Sequence, residues 1–273
     1  MSEHDPRVAK DLIAGVFSRA APMYDQRGPQ YCAHFGRRLV ELAGVGSGST
    51  VLDIATGRGA VLFPAAERAG AAGRVEGIDL ADEMVRETAA EIAARRIDNA
   101  LVRVMDAERL VHDDGSFDHV LCGFGLFYFP HLDHALVEFH RVLKTGGTIA
   151  ASTWRGDSGW GSWYDELLAQ YVEPVRLGSH DLSTPERLEQ ALRSAGFTAV
   201  RVVADEAEFI YTTEQEWWDT LWGHGTRASL ERMAPAELPR FQRQAFDRIR
   251  AEREADGFHV TFRVLYGLGV KRA

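Results

Sequence analysis

The spacing of apolar positions changes repeatedly along this chain, and each change marks an element. Val8, Leu12, Ile13, Val16 and Phe17 recur at helical spacing between Val8 and Arg19. Ala20 to Pro29 has no such period and reads as a loop. Arg37 to Leu42 continues a second helix that ends near Gly44. Gly46-Ser47-Gly48-Ser49 then breaks the chain before a short apolar run. From there the pattern alternates: a strand near 50–54, a helix over 60–69, a strand over 74–79, a helix over 82–95, strands over 101–105 and 117–122, a helix over 133–143 and a strand over 147–153. Strands separated by helices need crossover connections, so the pattern predicts an α/β doubly wound sheet with helices on both faces. Ligands of such sheets sit outside the carboxyl ends of the strands. Asp53, Asp79 and Asp106 all fall at that edge.

After Trp154 the composition shifts. All six tryptophans lie in one stretch, as Trp154, Trp160, Trp163, Trp217, Trp218 and Trp222. Residues 155–185 read as an insertion that caps the site. Thr184 is placed to cap a helix that opens with Pro185 and stops at Gly196. Phe197 to Val203 reads as a sixth strand, 214–223 and 235–254 as a helical arm, and Phe258 to Tyr266 as a final strand. The expected organisation is an N-terminal helical lid over 1–45, a ligand-binding core over 46–154, and a cap with completion of the sheet over 155–273.

A length of 273 residues with 45% hydrophobic content supports one substantial α/β domain with an attached cap. Apolar runs fall short of the roughly 18 residues that cross a membrane, and the polar start of the chain does not resemble a signal peptide. A cytoplasmic protein with no membrane span is the expectation. The formal net charge of −9 argues against nonspecific nucleic-acid binding. Cys32 and Cys122 form neither a redox pair nor a zinc spacing, and His131-Leu132-Asp133-His134 lacks a supporting ligand pattern, so no metal is expected.

The run Val51-Leu52-Asp53-Ile54-Ala55-Thr56-Gly57-Arg58-Gly59, followed by Gly77-Ile78-Asp79-Leu80, narrows the ligand. A dinucleotide fingerprint needs a third glycine for close helix packing, but counting from Gly57 that position holds Leu62, and counting from Ala55 the first glycine is missing. The D-x-A-x-G-x-G pattern instead resembles motif I of class I methyltransferases that use S-adenosylmethionine (SAM). Val102 to Glu108 is similar to the family's third strand, with Asp106-Ala107 at the adenine position. Ser116-Phe117-Asp118-His119-Val120 resembles its fourth strand. Leu143-Lys144-Thr145-Gly146-Gly147 looks like its L-K-P-G-G turn, with positive φ expected at both glycines. The resemblance covers roughly 20–153 with specific motifs and is only architectural beyond 155. It implies a Rossmann-like seven-stranded sheet with the last strand antiparallel, plus the helical lid and a helical aromatic cap. It also implies SAM as cofactor, with contacts from Tyr24, Asp53, Ala55, Gly57, Asp79, Leu80, Met84, Asp106, Ala107, Cys122 and Phe127. Cys122 also fits a small buried residue.

Methyl transfer from a sulfonium needs alignment and desolvation, and a base only when the nucleophile arrives protonated. Ala21-Pro22-Met23-Tyr24-Asp25 resembles the family's A-x-x-Y-D segment, in which the tyrosine reaches the methionine end of SAM. The loop Gly123 to Pro130 lacks the N-P-P-Y residues that hold a planar amino group. It resembles the F-x-L-H-H-x-P loop of small-molecule methyltransferases, with Phe127-Tyr128 replacing the two histidines, so a base must come from elsewhere. His224, within an aromatic stretch, is the leading candidate; Tyr24 is the second catalytic candidate, and His259 and the pair His131 and His134 rank below. Phe124, Tyr128, Trp154, Trp160 and Trp222 are expected on the acceptor's side, although Trp218 and Trp222 are spaced to pack on one helix face as well. The leading function is methylation, at carbon, oxygen or nitrogen, of a small apolar or aromatic molecule of natural-product or quinone type. A SAM-binding enzyme that cyclises or rearranges its substrate, a nicotinamide reductase and a non-catalytic binding module remain as alternatives, and a homo-oligomer stays open.

Overall fold

A computed structural model of the chain describes residues 5–272. Helix α1 (Pro6–Ala20) starts two residues before its apolar period, because the Asp5 carboxylate accepts the Arg7 N–H at 2.9 Å and Pro6 needs no donor there. Helix α2 (Tyr31–Ala43) begins earlier than its apolar period indicated and stops at Gly44, whose φ of 73° suits glycine. The core then runs through β1 (Thr50–Ile54), α3 (Leu62–Ala69), β2 (Arg74–Asp79), α4 (Asp82–Arg95), β3 (Ala100–Val104), β4 (Phe117–Gly123), α5 (Leu132–Val142) and β5 (Leu143–Trp154). The remainder comprises α6 (Ser162–Leu168), α7 (Pro185–Ser194), β6 (Thr198–Tyr211), α8 (Glu214–Gly223), α9 (Arg227–Arg232), α10 (Leu238–Glu252) and β7 (Phe258–Val270).

The sheet has seven strands in the order β3-β2-β1-β4-β5-β7-β6. β1 pairs in parallel with both β2 and β4, so the strand order reverses between β1 and β4. This switch point opens the crevice in which ligands of such sheets bind. β7 lies antiparallel to both β5 and β6. The expected fold class, including the antiparallel last strand, is therefore the one observed. One face of the sheet is packed by α2, α3 and the cap, in a core that joins Phe35 and Leu62 to Trp217, Phe241 and Tyr266. The other face is packed by α5 and α7 through Leu136, Phe139, Leu188 and Leu192.

Three local features differ from the sequence reading. β6 runs to Tyr211, well beyond Val203, because β7 pairs with it as far as Tyr211 opposite Phe258. The extension is an edge strand whose outward side chains, such as Glu206 and Glu208, face solvent and mask its apolar period. The helical arm is also subdivided, with α9 between α8 and α10. Finally, Gly146 has the expected positive φ of 83°, but Gly147 is not among the positive-φ residues. Gly147 is instead crowded: a Cβ there would meet Lys144 O at 2.9 Å and Asp118 O at 3.0 Å.

The helix–sheet contact that a dinucleotide fold secures with its third glycine is achieved differently here. Leu62 occupies that position, and the space comes from Gly77 on β2, where a Cβ would meet Leu62 Cδ1 at 2.6 Å. Helix α3 thus packs closely although its first residue is bulky.

Candidate cofactor and acceptor site

The loop after β1 turns sharply, with positive φ at Ala55 (53°), Gly57 (51°) and Gly59 (81°). Ala55 adopts a conformation that costs a non-glycine residue roughly 1–2 kcal/mol. The turn is braced from β2: Thr56 N donates to Ile78 O at 2.9 Å, and Gly57 N donates to Asp79 Oδ2 at 2.8 Å. The other oxygen of Asp79 accepts Ala81 N at 2.9 Å. Each Asp79 oxygen keeps a lone pair for a further donor. Beneath the loop, Thr56 Oγ1 donates to Asp53 Oδ2 at 2.6 Å, while Asp53 Oδ1 is buried with no protein partner among the described residues.

These residues open onto a cavity. Its sheet side is formed by Ala55, Gly57, Ile78, Asp79 and Leu80, with Met84 from α4. Met105, Asp106 and Ala107 follow β3, and Phe124, Gly125, Tyr128 and Phe129 follow β4. The roof is α1 and the segment after it, through Lys10, Ile13, Phe17 and Tyr24. Burial raises the Asp79 carboxyl above its usual range against the lowering effect of the Ala81 and Gly57 N–H groups. Burial also lifts Asp53 to about 7; the Thr56 hydroxyl opposes this and the charge of Asp79 adds to it.

Lys10 ties the roof down. Its Nζ donates to Asp106 Oδ2 at 2.7 Å and to Glu108 Oε2 at 2.6 Å. Burial pulls its ammonium pKa down, but the hydrogen bonds to both carboxylates outweigh that and leave it raised. At the other end of α1, Arg19 Nε and Nη2 bond both oxygens of Glu231, at 2.9 and 2.6 Å, and Arg58 Nη1 donates to Ala21 O at 2.7 Å.

The arrangement fits SAM better than a pyrophosphate. Asp79 can accept the two ribose hydroxyls, and the apolar slot of Ile78, Leu80, Met105 and Ala107 suits an adenine beside Asp106. The lysine in the cavity is already bound by two carboxylates, which leaves little for a dianion.

A second cluster adjoins this cavity through Tyr24. The His224 ring lies 4.6 Å from the Tyr24 ring and stacks at 5.1 Å on Tyr31. Asp25, Cys32 and His224 bring ligand-type atoms within 4.8 Å of one another. The Asp25 carboxyl accepts Ala33 N at 3.0 Å and Cys32 N at 3.4 Å, so it caps the start of α2. Burial pushes Asp25 up to about 7 against those two bonds, and pulls His224 down to about 3 with no hydrogen bond to offset it. The Tyr24 and Tyr31 phenols are pushed well above their usual value by burial, so both stay protonated donors. Phe124, at a positive φ of 57°, is held by Ser152, whose Oγ and O accept its N–H at 3.2 and 3.1 Å. Its ring stacks on Trp154 at 4.0 Å.

Of the cofactor residues named from sequence, Tyr24, Ala55, Gly57, Asp79, Leu80, Met84, Asp106 and Ala107 line the cavity. Asp53 sits under the loop, and Cys122 lies beneath Gly125, where a Cβ would meet its Sγ at 2.8 Å. Phe127 points its backbone carbonyl to Ser179 N at 2.8 Å and is not part of the wall. Phe124 and Tyr128 line the cavity, and Trp154 stands behind Phe124. Trp160 packs on Tyr164 and Trp217 in the cap, and Trp222 packs on Trp218 with Arg227 over its ring. His259 is paired with Asp256 and Glu208, outside the cavity. Sequence reasoning missed Lys10, Phe17, Asp25, Tyr31 and Met105. Asp25 was legible as the partner of Tyr24 in the Y-D segment; Lys10 carried no signal, because a lysine on an amphipathic helix ordinarily faces water.

A methyltransferase domain family matches residues 51–147. The chain is 34% identical over 236 residues to nocamycin O-methyltransferase of Saccharothrix syringae, covering 81% of this chain and 84% of that protein. It is 38% identical over 141 residues to aklanonic acid methyltransferase of Streptomyces sp. strain C5, covering 52% of this chain and 64% of that protein. Among solved structures, phosphoethanolamine N-methyltransferase 2 of Haemonchus contortus, bound to SAM, shares the fold with a TM-score of 0.57 at 18% identity, covering 88% of this chain and 53% of that one. Among the described residues no helix is long and apolar enough to cross a membrane. The motif loop, the paired strand-tip carboxylates and this similarity along most of the length agree, and the chain belongs to the SAM-dependent methyltransferases.

Proposed function

We propose that the chain methylates a hydroxyl oxygen, a phenol, enol or carboxyl, on a small planar acceptor of natural-product type, with His224 receiving the proton. One observation carries this reading. His224 is an unprotonated imidazole clamped between Tyr24 and Tyr31, and Tyr24 also lines the cofactor cavity. The similarity to an O-methyltransferase over most of its length supports oxygen as the accepting atom.

When bound, SAM supplies a methyl group already activated by its positive sulfur. The residues around it have three tasks. Asp79 and the turn through Gly57 fix the position of the donor. The aromatic walls of Phe124 and Tyr128, with Trp154 backing Phe124, hold a flat acceptor and exclude water. His224 accepts the hydroxyl proton as the new O–CH3 bond forms and the S–CH3 bond breaks. Burial keeps the imidazole free of protons at neutral pH but also weakens it as a base, so the transfer depends on Asp25, which once ionised supplies the countercharge that stabilises the imidazolium.

The test is incubation with methyl-labelled SAM and a panel of phenolic, enolic and carboxylic acceptors, read by mass spectrometry. The reading expects labelled O-methyl product, with S-adenosylhomocysteine formed in equal amount. Turnover of an acceptor without consumption of SAM would instead establish a cyclisation or rearrangement, and label on carbon or nitrogen would remove the role given to His224.

A further inference from the structure

Three different ligand types converge beside Tyr24. A carboxylate oxygen of Asp25, the sulfur of Cys32 and a ring nitrogen of His224 lie within 4.8 Å of one another, with Asp25 and Cys32 buried and His224 partly so. Around one tetrahedral ion such atoms stand roughly 3.5 Å apart, so side-chain movements of about 1 Å close the set. The fold brings them together from two segments. Asp25 and Cys32 meet across the start of α2, where the Asp25 carboxyl accepts the Cys32 N–H at 3.4 Å. His224 follows α8, and its approach depends on Gly223: a Cβ there would meet Met23 O at 3.1 Å and Tyr24 Cα at 3.7 Å. The third ligand lies far along the chain from the other two, so no local spacing announces the set.

Each of the three is oriented by its own contacts, as metal ligands generally are. The two Asp25 oxygens accept one backbone N–H each, from Cys32 and Ala33, and keep a lone pair each. Cys32 is a free thiol, and Tyr24 Oη lies 3.7 Å from its sulfur, placed to donate to a thiolate. The His224 ring is held by stacking on Tyr31, yet no hydrogen bond reaches its nitrogens among the described residues. The group of Glu254, Asp256 and His259 differs on both counts: its carboxylates are exposed, and both nitrogens of His259 are already paired, with Asp256 at 2.8 Å and Glu208 at 3.1 Å. The donor set beside Tyr24 also selects an ion. One sulfur, one nitrogen and one oxygen suit zinc, whereas calcium and magnesium take oxygen alone. A thiolate and a carboxylate cancel the two positive charges of the ion, as a buried site requires. Three protein ligands leave the fourth position to water.

We propose that Asp25, Cys32 and His224 bind a zinc ion, and that the bound ion switches methyl transfer off. Binding sends the thiol proton, and any proton on the carboxyl, to solvent, and no electron moves. A neutral imidazole has a single lone pair on its unprotonated nitrogen. His224 therefore cannot hold zinc and accept a hydroxyl proton at the same time, and the metal-free protein is the active form. The metal site stands on its three ligands alone; the loss of turnover rests on the role proposed for His224 in methyl transfer.

The experiment strips the full chain with chelator, titrates it with Co2+ as a coloured stand-in, and then displaces the cobalt with Zn2+. One Co2+ per chain is expected, with a thiolate-to-metal absorption band that zinc removes. Cys32→Ala is expected to lose the band and Cys122→Ala to keep it. His224→Asn is expected to weaken zinc at least about 100-fold, since partners outside the ligand shell are alone worth about 10–100-fold. Zinc should also raise the Tm of the wild type and leave that of His224→Asn unchanged, a comparison that serves if Cys32→Ala does not fold. No band in the wild type, or a band that survives in Cys32→Ala, would overturn the metal site. Methylation of an acceptor turned over by the wild type is expected to fall in proportion to the zinc bound and to return with chelator. Full zinc occupancy with undiminished turnover would overturn the switch and the base role of His224 together, and the absorption band reports the metal site separately from both.

Discussion

Replacing Lys10 by Met tests whether α1 governs the exchange of cofactor. The substitution keeps the aliphatic stem over the cavity and removes only the ammonium. Two ion pairs are lost. The one to Asp106 is partly open, with side-chain exposures of 20% and 36%, and the one to Glu108 is more enclosed, at 20% and 6%. A partly exposed pair contributes up to about 1 kcal/mol, and a charged hydrogen bond to a buried carboxylate contributes about 1.5–3 kcal/mol. The carboxylate of Glu108 keeps one bond, from His131 N at 2.8 Å, which limits the loss. A net barrier reduction of about 2 kcal/mol follows if both pairs break before the ligand leaves, a roughly 30-fold faster release. Stopped-flow displacement of preloaded S-adenosylhomocysteine measures this directly. In the wild type the release rate should rise with salt, because the Asp106 pair is within reach of screening, whereas Lys10→Met should be nearly salt-independent. An unchanged release rate at low salt would refute the idea that this end of α1 is the gate.

Three further outcomes follow from the site. His224→Asn is expected to lower kcat by about 10²–10⁴-fold, the range typical of general-base loss, with unaltered binding of S-adenosylhomocysteine by calorimetry. Asp25 has its pKa raised to about 7, so kcat/KM should climb as pH rises through 7 and level off above it, and Asp25→Asn should remove that limb; a limb retained in the variant would assign it to Asp53. Asp53, raised from 3.8 to about 7, binds more protons folded than unfolded between those values. It therefore lowers stability as pH rises from about 4 to 7, and the Tm of Asp53→Asn should gain on the wild type across that window.

Much of the cofactor half was legible because its chemistry lies in short stretches. Strand ends at Asp53, Asp79 and Asp106 follow from local apolar runs, and a sheet of this winding brings such ends to one edge. The acceptor half depends on contacts distant in sequence. Tyr31 was hidden because the early turns of α2 are half polar, and its stacking with His224 joins residues far apart in the chain. The cap tryptophans were legible as a group but not individually. Trp154 stands behind the site, whereas Trp160 and Trp222 pack into the cap, a division set by the paths of β6 and β7 that no local period encodes. The length of β6 was hidden for the same reason, since its outer half is specified by pairing with β7.

The account stands on SAM held by the carboxylate at the tip of β2. Calorimetric titration of the wild type and of Asp79→Ala with S-adenosylhomocysteine, with NADH as control ligand, tests this most directly. The account predicts one site per chain in the wild type and no binding of NADH. For Asp79→Ala it predicts affinity at least about 100-fold lower, the loss of two charged hydrogen bonds. Equal affinity in the two proteins, or binding of NADH in place of S-adenosylhomocysteine, would contradict it.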